Sequence, residues 1–134
     1  MREILFRGKG THGLNAGDWI YGYYVKDFWK PSHSGHGILP IDEERGGYCE
    51  VDPKTVGQYT GLTDKNGRKI FEGDIIKYED EIGYVVYSTG CYCVQDIHSQ
   101  NKPAIDIVIH NSRNNLEVVG NIHDNPELLK GGTE

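Results

Sequence analysis

Short apolar runs separated by turn residues dominate the stretch from residue 57 to 80. Asp64-Lys65-Asn66-Gly67 places Asn-Gly at the centre of a tight reversal, where positive φ angles are least costly for these two residues. The β-branched and aromatic segments 69–71 and 75–78 follow, separated by Glu72-Gly73-Asp74. This spacing predicts a hairpin and further short strands, and it is typical of a small barrel or sandwich.

Similar short apolar and aromatic runs, separated by turn residues, recur along the rest of the chain. They predict strands at 4–6, 18–25, 38–41, 48–51, 56–60, 74–79, 84–88, 91–97, 105–110 and 116–119. Near the end, Asn125 as N-cap, Pro126 at the first helical position and Gly131 as terminator predict one short helical turn. The chain is therefore expected to be mainly β.

The segment 18–25 is the most aromatic of these strands. Trp19, Tyr21 and Tyr23 alternate with Ile20, Gly22 and Tyr24, which predicts a strand with both faces largely buried. Aromatic faces on a small β fold can also stack bases or sugars, with Phe28 and Trp29 following in sequence. We favour the core interpretation, because a small all-β protein needs large side chains to fill its interior or a subunit contact. Trp19, Tyr21 and Tyr23 are nevertheless the best candidates for a binding surface.

Composition agrees with a β protein that does not cross a membrane by a helix. The 134 residues include 18 glycines and nine tyrosines against one methionine, and no apolar run approaches the length of a transmembrane helix. The beginning of the chain becomes polar too soon for a signal peptide. We expect no membrane association and a cytoplasmic location.

The charge balance argues against a general nucleic-acid binder. Residues 1–53 carry a net charge of −2 and residues 54–134 carry −4, together the −6 of the chain. Phosphate backbones are bound mainly by clustered lysine and arginine, and here the nearest cluster is Lys65, Arg68 and Lys69 beside the predicted turn. We interpret these three residues as a solvated loop tip, with a nucleic-acid contact as the alternative.

Candidate metal ligands are sparse. His33 and His36 have a spacing that can chelate a metal, but the sequence has no CxxC or HExxH motif to complete a zinc site. The chain has three cysteines, of which Cys91 and Cys93 would share one face of a strand. They could form a soft-metal or redox pair, but we favour plain core residues, as for Cys49. No metal or other cofactor is predicted.

Catalytic groupings are equally weak. The acidic run at 79–81 is not a pair of carboxylates held in different environments across a cleft, and no nucleophile motif surrounds Ser88 or Cys91. The sequence therefore does not predict an enzyme.

Three blocks carry a resemblance to a known family over nearly the whole chain. ILFRGK with DWIYGYYVKD, VDPKTVGQYTGLTDKNGRKIFEGDIIKYED, and VVGNIHDNPELL occur in that order. In these blocks the chain resembles the YopX family of phage and prophage proteins. The segment 9–16 departs from the family pattern by looking longer than the usual loop before the aromatic strand.

The resemblance implies an architecture but no catalytic residue or cofactor. It implies an amino-terminal β segment at 1–53 packed on an SH3-like β-barrel domain at 54–134. The function expected is a phage-encoded binding or assembly module in the cytoplasm of the bacterial host. A protein partner or a homo-oligomer is favoured over nucleic acid, with a nucleic-acid accessory protein as the alternative and an enzyme as a third class.

Overall fold

The computed structural model describes residues 3–26, 35–42, 44, 47–78, 81–88, 90–97, 105–106 and 116–130, with only the backbone at 105–106 and 130. The chain divides into two compact units, Met1–Tyr59 and Thr60–Glu134. The sequence had suggested a division between residues 53 and 54. Each unit is described in turn.

The regular structure is β, as predicted. The described residues form strands β1 (Phe6–Lys9), β2 (Trp19–Lys26), β3 (His36–Pro40), β4 (Cys49–Glu50), β5 (Gly57–Thr63), β6 (Lys69–Phe71), β7 (Asp74–Tyr78), β8 (Glu81–Ser88), β9 (Cys91–Asp96), β10 (Ile105–Asp106) and β11 (Glu117–Asn121). Short 3-10 turns at Gly13–Asn15, Pro53–Thr55 and Pro126–Lys130 accompany them, and no α-helix occurs in the described ranges. Within those ranges no helix has the length and apolar character to cross a membrane.

The first unit is an antiparallel sheet with the strand order β4-β3-β2-β1-β5. β1 pairs with β2 so that Lys9 lies opposite Trp19, and β2 pairs with β3 so that Tyr23 lies opposite Leu39. The loop after β1 contains the turn Gly13–Asn15, closed by an Ala16 N–H donating to the Gly13 carbonyl. β1 and β2 therefore form an antiparallel hairpin, and β1 begins later than the predicted 4–6 strand.

One face of this sheet holds the core of the first unit. Ile20, Ile38, Cys49 and Val51 are buried there, with Phe6, Tyr24 and Val56 packed against them. Gly22 lies where β2 and β3 approach most closely, since a Cβ at this position would come within 1.9 Å of the Leu39 carbonyl oxygen. A side chain there would push the two strands apart, so close pairing requires glycine.

The second unit contains an antiparallel sheet with the strand order β10-β9-β8-β7-β11. Its residues 60–63, the last part of β5, neighbour β6. The core consists of the buried residues Ile70, Ile76, Tyr78, Val85, Val94, Leu116 and Val118. Alternate residues of β7, β8 and β9 supply this core, as the sequence periodicity predicts. The SH3-like assignment of this unit stays a prediction.

The predicted Asp64-Lys65-Asn66-Gly67 reversal is present. The Asp64 N–H donates to the Arg68 carbonyl at 2.8 Å, and the Gly67 N–H donates to the Asp64 carbonyl at 3.0 Å. Gly67 has φ = 83°, a left-handed conformation that glycine adopts without strain. The turn thus forms for the backbone reasons visible in the sequence.

The Asp64 carboxylate ties this turn to the last strand. Oδ1 accepts the N–H groups of Asn66 and Arg68, both at 2.9 Å, and Oδ2 accepts the N–H of Val118 at 2.9 Å. Asp64 is only 4% exposed. Burial raises the pKa of this carboxyl, but the three backbone donors and the Arg68 guanidinium outweigh burial, so the pKa lies below its ordinary value. The ionised carboxylate is therefore a structural group in the folded state.

A second buried aspartate organises the next turn. Asp74 Oδ2 accepts the Phe71 N–H at 2.7 Å, and the positive φ of 92° at Gly73 closes the link between β6 and β7. The Gly73 carbonyl also accepts the Ile122 N–H at 2.9 Å, just after β11. Both aspartates use side-chain oxygens to satisfy buried backbone donors.

The predicted helical turn near the carboxyl end is also present. It spans Pro126–Lys130, and the Leu128 N–H donates to the Asn125 carbonyl at 3.0 Å. The Asn125 side chain accepts the N–H of Asn121 at 3.2 Å, which anchors this turn to the end of β11.

Replacing Asp64 with asparagine should destabilise the protein strongly. An amide presents one oxygen where the carboxylate presents two, so a buried backbone N–H loses its acceptor, and we expect the free energy of unfolding to fall by about 2–4 kcal/mol. Urea unfolding followed by circular dichroism measures this. Asp52→Asn is the matched control, because Asp52 accepts a single N–H, from Lys54, in a more exposed turn. Equal losses in the two variants would contradict the structural role of Asp64.

Acid should remove the Asp64 contribution. Because the folded pKa is depressed, the unfolded chain takes up the proton first, so the stabilisation is complete above about pH 5 and is lost as pH falls through the folded pKa. The stability gap between the wild type and Asp64→Asn should then narrow from pH 5 to about pH 2. If the difference in unfolding free energy between the two proteins stays constant over that pH range, the ionised carboxylate is not the source of the difference.

We expect the stability of the protein at alkaline pH to depend on Tyr78. Burial, together with the negative charges of Asp96 and Glu81, raises the pKa of Tyr78 to about 12. The unfolded tyrosine ionises near pH 10, so stability supplied by the neutral phenol is lost as pH rises from about 10 to about 12. Tyr78→Phe should lose less stability than the wild type over this range, whereas Tyr87→Phe, at an exposed site, should follow the wild type. Identical alkaline profiles for all three proteins would refute this.

Candidate functional site

The aromatic strand β2 has one buried and one exposed face. Ile20 is fully buried, whereas Tyr21 is exposed and Tyr23 is 58% exposed. Trp19 lies half-buried on the exposed side. The prediction that both faces of this strand are largely buried is therefore wrong, and so is the core interpretation of Tyr21 and Tyr23.

The exposed side continues across the neighbouring strand. Leu39 lies opposite Tyr23 and is 43% exposed. One step further along, the Ile41 N–H donates to the Tyr21 carbonyl at 2.9 Å, and Ile41 is 53% exposed. Residues opposite one another in an antiparallel pair project to the same face, so these side chains form one surface.

Tyr48 extends this surface beyond β3. A Cβ on Gly37 would lie 2.2 Å from Cζ of Tyr48, so the glycine leaves room for the phenol ring to lie against the strand. Gly37 is opposite Val25, which shares the face of Tyr23. We call the resulting surface the aromatic face and define it by Trp19, Tyr21, Tyr23, Leu39, Ile41 and Tyr48.

Two cations border the aromatic face at Trp19. The Arg7 guanidinium carbon lies 4.6 Å from the centroid of the Trp19 ring, and the Lys9 ammonium lies 5.7 Å from it. These distances are within the range of cation–π attraction. Arg7 is only 5% exposed, so its guanidinium contacts the indole ring and is shielded from a ligand in solution. Lys9 is half-buried beside it.

The predicted basic cluster lies in the second unit and is partly engaged by β11. The Lys65 ammonium is 3.6 Å from the Glu117 carboxylate, and Arg68 Nη1 donates to the Val118 carbonyl at 3.4 Å. Lys69 is exposed on β6. Lys65 and Arg68 therefore contact β11 within their own unit, and a binding role for Lys65, Arg68 and Lys69 stays a prediction.

A polar cluster that sequence reasoning missed lies at the start of the loop after β1. His12 Nδ1 is 2.9 Å from a Glu50 carboxylate oxygen and 2.8 Å from the Thr11 hydroxyl. Both partners contact the same ring nitrogen, so His12 cannot pass a proton from the hydroxyl to the carboxylate as a catalytic relay would require. Glu50 is 38 positions away from His12 along the chain, and the pairing of Gly10 with Val51 brings the two side chains together.

The described residues do not test the His33–His36 pair that the sequence spacing suggests. His33 lies outside the described residues. His36 is on β3, where its Nδ1 contacts the Tyr24 hydroxyl and its ring stacks on that of Tyr24 with centroids 5.8 Å apart. Among the described residues, no three His, Cys, Asp or Glu side chains are grouped as a metal site would require.

Comparison with known proteins places the fold and the family. The crystal structure of protein EF1440 from Enterococcus faecalis is similar over 96% of this chain and 99% of that chain, with a TM-score of 0.57 and 24% sequence identity, which shows a shared fold. A search of curated proteins found no match. The family described as YopX protein matches residues 23–130, most of the chain. The chain belongs to the YopX protein family.

Proposed function

We propose that this chain is a non-enzymatic binding module that associates with a second copy of itself through the aromatic face. The observation that carries the proposal is the exposure of Tyr21, Tyr23, Leu39 and Ile41 side by side on two paired strands. Contiguous exposed apolar side chains on a water-facing sheet are typical of association surfaces. Tyrosine and tryptophan are also the residue types that contribute most to binding energy at such surfaces.

The charges on this face favour a protein partner over nucleic acid. Stacking on tyrosines could hold bases, but affinity for a nucleic-acid strand also needs cations that reach its phosphates. Arg7 is covered, which leaves Lys9 as the cation beside the aromatic face in the described residues. Depletion of charge in the centre of a surface is instead typical of protein interfaces.

The charge distribution supports a second copy of the chain as the partner that binds the aromatic face. Residues 1–59 contain seven basic and eight acidic residues, a net charge of −1, whereas residues 60–134 contain seven and twelve, a net charge of −5. Pairing through the nearly neutral first unit therefore brings little like charge together. An apolar face with few charges is also complementary to itself, as a two-fold interface requires.

Further parts of the proposal rest on the family. Membership in the YopX family supports a phage-type protein, for which we propose a binding or assembly role in the cytoplasm of the bacterial host. We also propose that the second unit is an SH3-like barrel.

Sedimentation tests self-association directly. The wild-type chain should sediment as a dimer at micromolar concentration. Tyr23→Asp and Leu39→Asp should each shift it towards monomer, because each places two like charges in a desolvated two-fold contact. Loss of a residue central to an interface commonly costs 2 kcal/mol or more, so we expect the dimer dissociation constant to rise by about 30-fold or more.

Leu14→Asp is the matched control. Leu14 is fully exposed in the same unit but lies in the turn Gly13–Asn15, away from the aromatic face, so this variant should remain dimeric. A wild-type chain that stays monomeric at every concentration would overturn the proposal. Salt-sensitive retention of a single-stranded oligonucleotide, weakened by Tyr23→Asp, would favour the nucleic-acid alternative instead.

A further inference from the structure

Cys91 and Cys93 form a close pair of thiols in the second unit. They are two residues apart on β9, so their side chains project to the same face of the strand. Their sulfur atoms are 3.4 Å apart. Two thiols at this separation can share a single bound atom after small side-chain rotations.

The surroundings of the pair differ from those of an ordinary core cysteine. Tyr92, between the two cysteines in sequence, packs against the core of the second unit, and Val94, which follows Cys93, belongs to that core. The thiols therefore face the opposite side of the sheet. Cys93 is buried whereas Cys91 is half-buried, so the pair lies at the boundary between the interior and the surface. The Ser88 carbonyl oxygen lies 3.6 Å from Cys91 Sγ and 4.0 Å from Cys93 Sγ.

We propose that Cys91 and Cys93 form a two-thiolate site for a soft monovalent cation of the cuprous type. Thiolate sulfur is the protein ligand that such cations prefer. Binding exchanges two S–H bonds for two sulfur–metal bonds and releases two protons, with no change in oxidation state. The half-buried Cys91 gives the ion a route of entry, and the buried Cys93 holds it in a dry environment.

The ligand set favours this class of ion over zinc. Structural zinc takes four ligands in tetrahedral geometry, and the described residues group no third His, Cys, Asp or Glu side chain with these two thiols. Soft thiolate and thioether ligands select cuprous ions, and two thiolates form a complete ligand set for a cation that accepts two ligands.

The strand spacing also favours a bound atom over a direct disulfide. Two residues of extended strand span about 6.6 Å between Cα atoms. That length is near the upper end of the range in which disulfides form, about 4.4–6.8 Å, so a disulfide here would be strained. Two metal–sulfur bonds of about 2.3 Å each bridge a wider gap than one S–S bond of about 2 Å.

Anaerobic titration with cuprous ion tests the site. The reduced protein should take one equivalent of cuprous ion from a chromogenic chelator, with the appearance of a thiolate-to-copper absorption band in the ultraviolet. The melting temperature should rise, because an ion that binds only the folded state stabilises it. Cys91→Ser and Cys93→Ala should each abolish the transfer.

Cys49→Ser provides the matched control. Cys49 belongs to the first unit, where it is buried in the core, so this variant should still take one equivalent. Thermal melts of the metal-free variants establish that each is folded before titration. The proposal is overturned if the wild type takes no copper, or if the double variant Cys91→Ser, Cys93→Ala binds as the wild type does.

Discussion

The second unit depends on one buried carboxylate. Asp64 accepts three backbone N–H groups, two from its own turn and one from Val118 on β11, which lies 54 residues further along the chain. The Lys65 N–H adds a bond of 2.9 Å to the Leu116 carbonyl. A charged acceptor that satisfies several donors without water makes bonds stronger than those between neutral groups. The β5–β6 turn is therefore held to the last strand at the point where Leu116 and Val118 enter the core.

The first unit follows a different constraint, which is the close approach of paired strands. Gly22 lets β2 and β3 lie against each other, and Gly37 lets the Tyr48 ring lie on β3. Ile20 and Ile38 then close the inner face, where Tyr24 packs against them, while Tyr21 and Tyr23 remain on the outer face. The buried Arg7 guanidinium lies over the Trp19 ring, within the range of cation–π attraction. The outer face is consequently aromatic and poor in accessible charge, which is what a protein contact needs.

Much of this architecture was predictable from local pattern. The Asn-Gly reversal, the strand at β7 and the short turn beginning at Pro126 all follow from backbone preferences that neighbouring residues alone determine. The candidate site was predictable only in part. Alternation identified Trp19, Tyr21 and Tyr23 as sharing one face, but Leu39, Ile41 and Tyr48 joined them only through strand pairing. The Thr11–His12–Glu50 cluster and the Asp64–Val118 bond escaped prediction for the same reason.

The sequence by itself determined the β character, the turn chemistry and the family, because these depend on residue types at short separations. It also determined that Cys91 and Cys93 share a face, since the two-residue period of a strand leaves no other arrangement. Only the tertiary structure decided which face of β2 is buried. Alternation along a strand does not show which of its two faces is buried. A strand with large residues on both faces can bury either face, and the neighbouring strands that supply the rest of a core decide between them. Here Ile38, Cys49 and Val51 are on the side of Ile20, and Tyr21 and Tyr23 are left facing water.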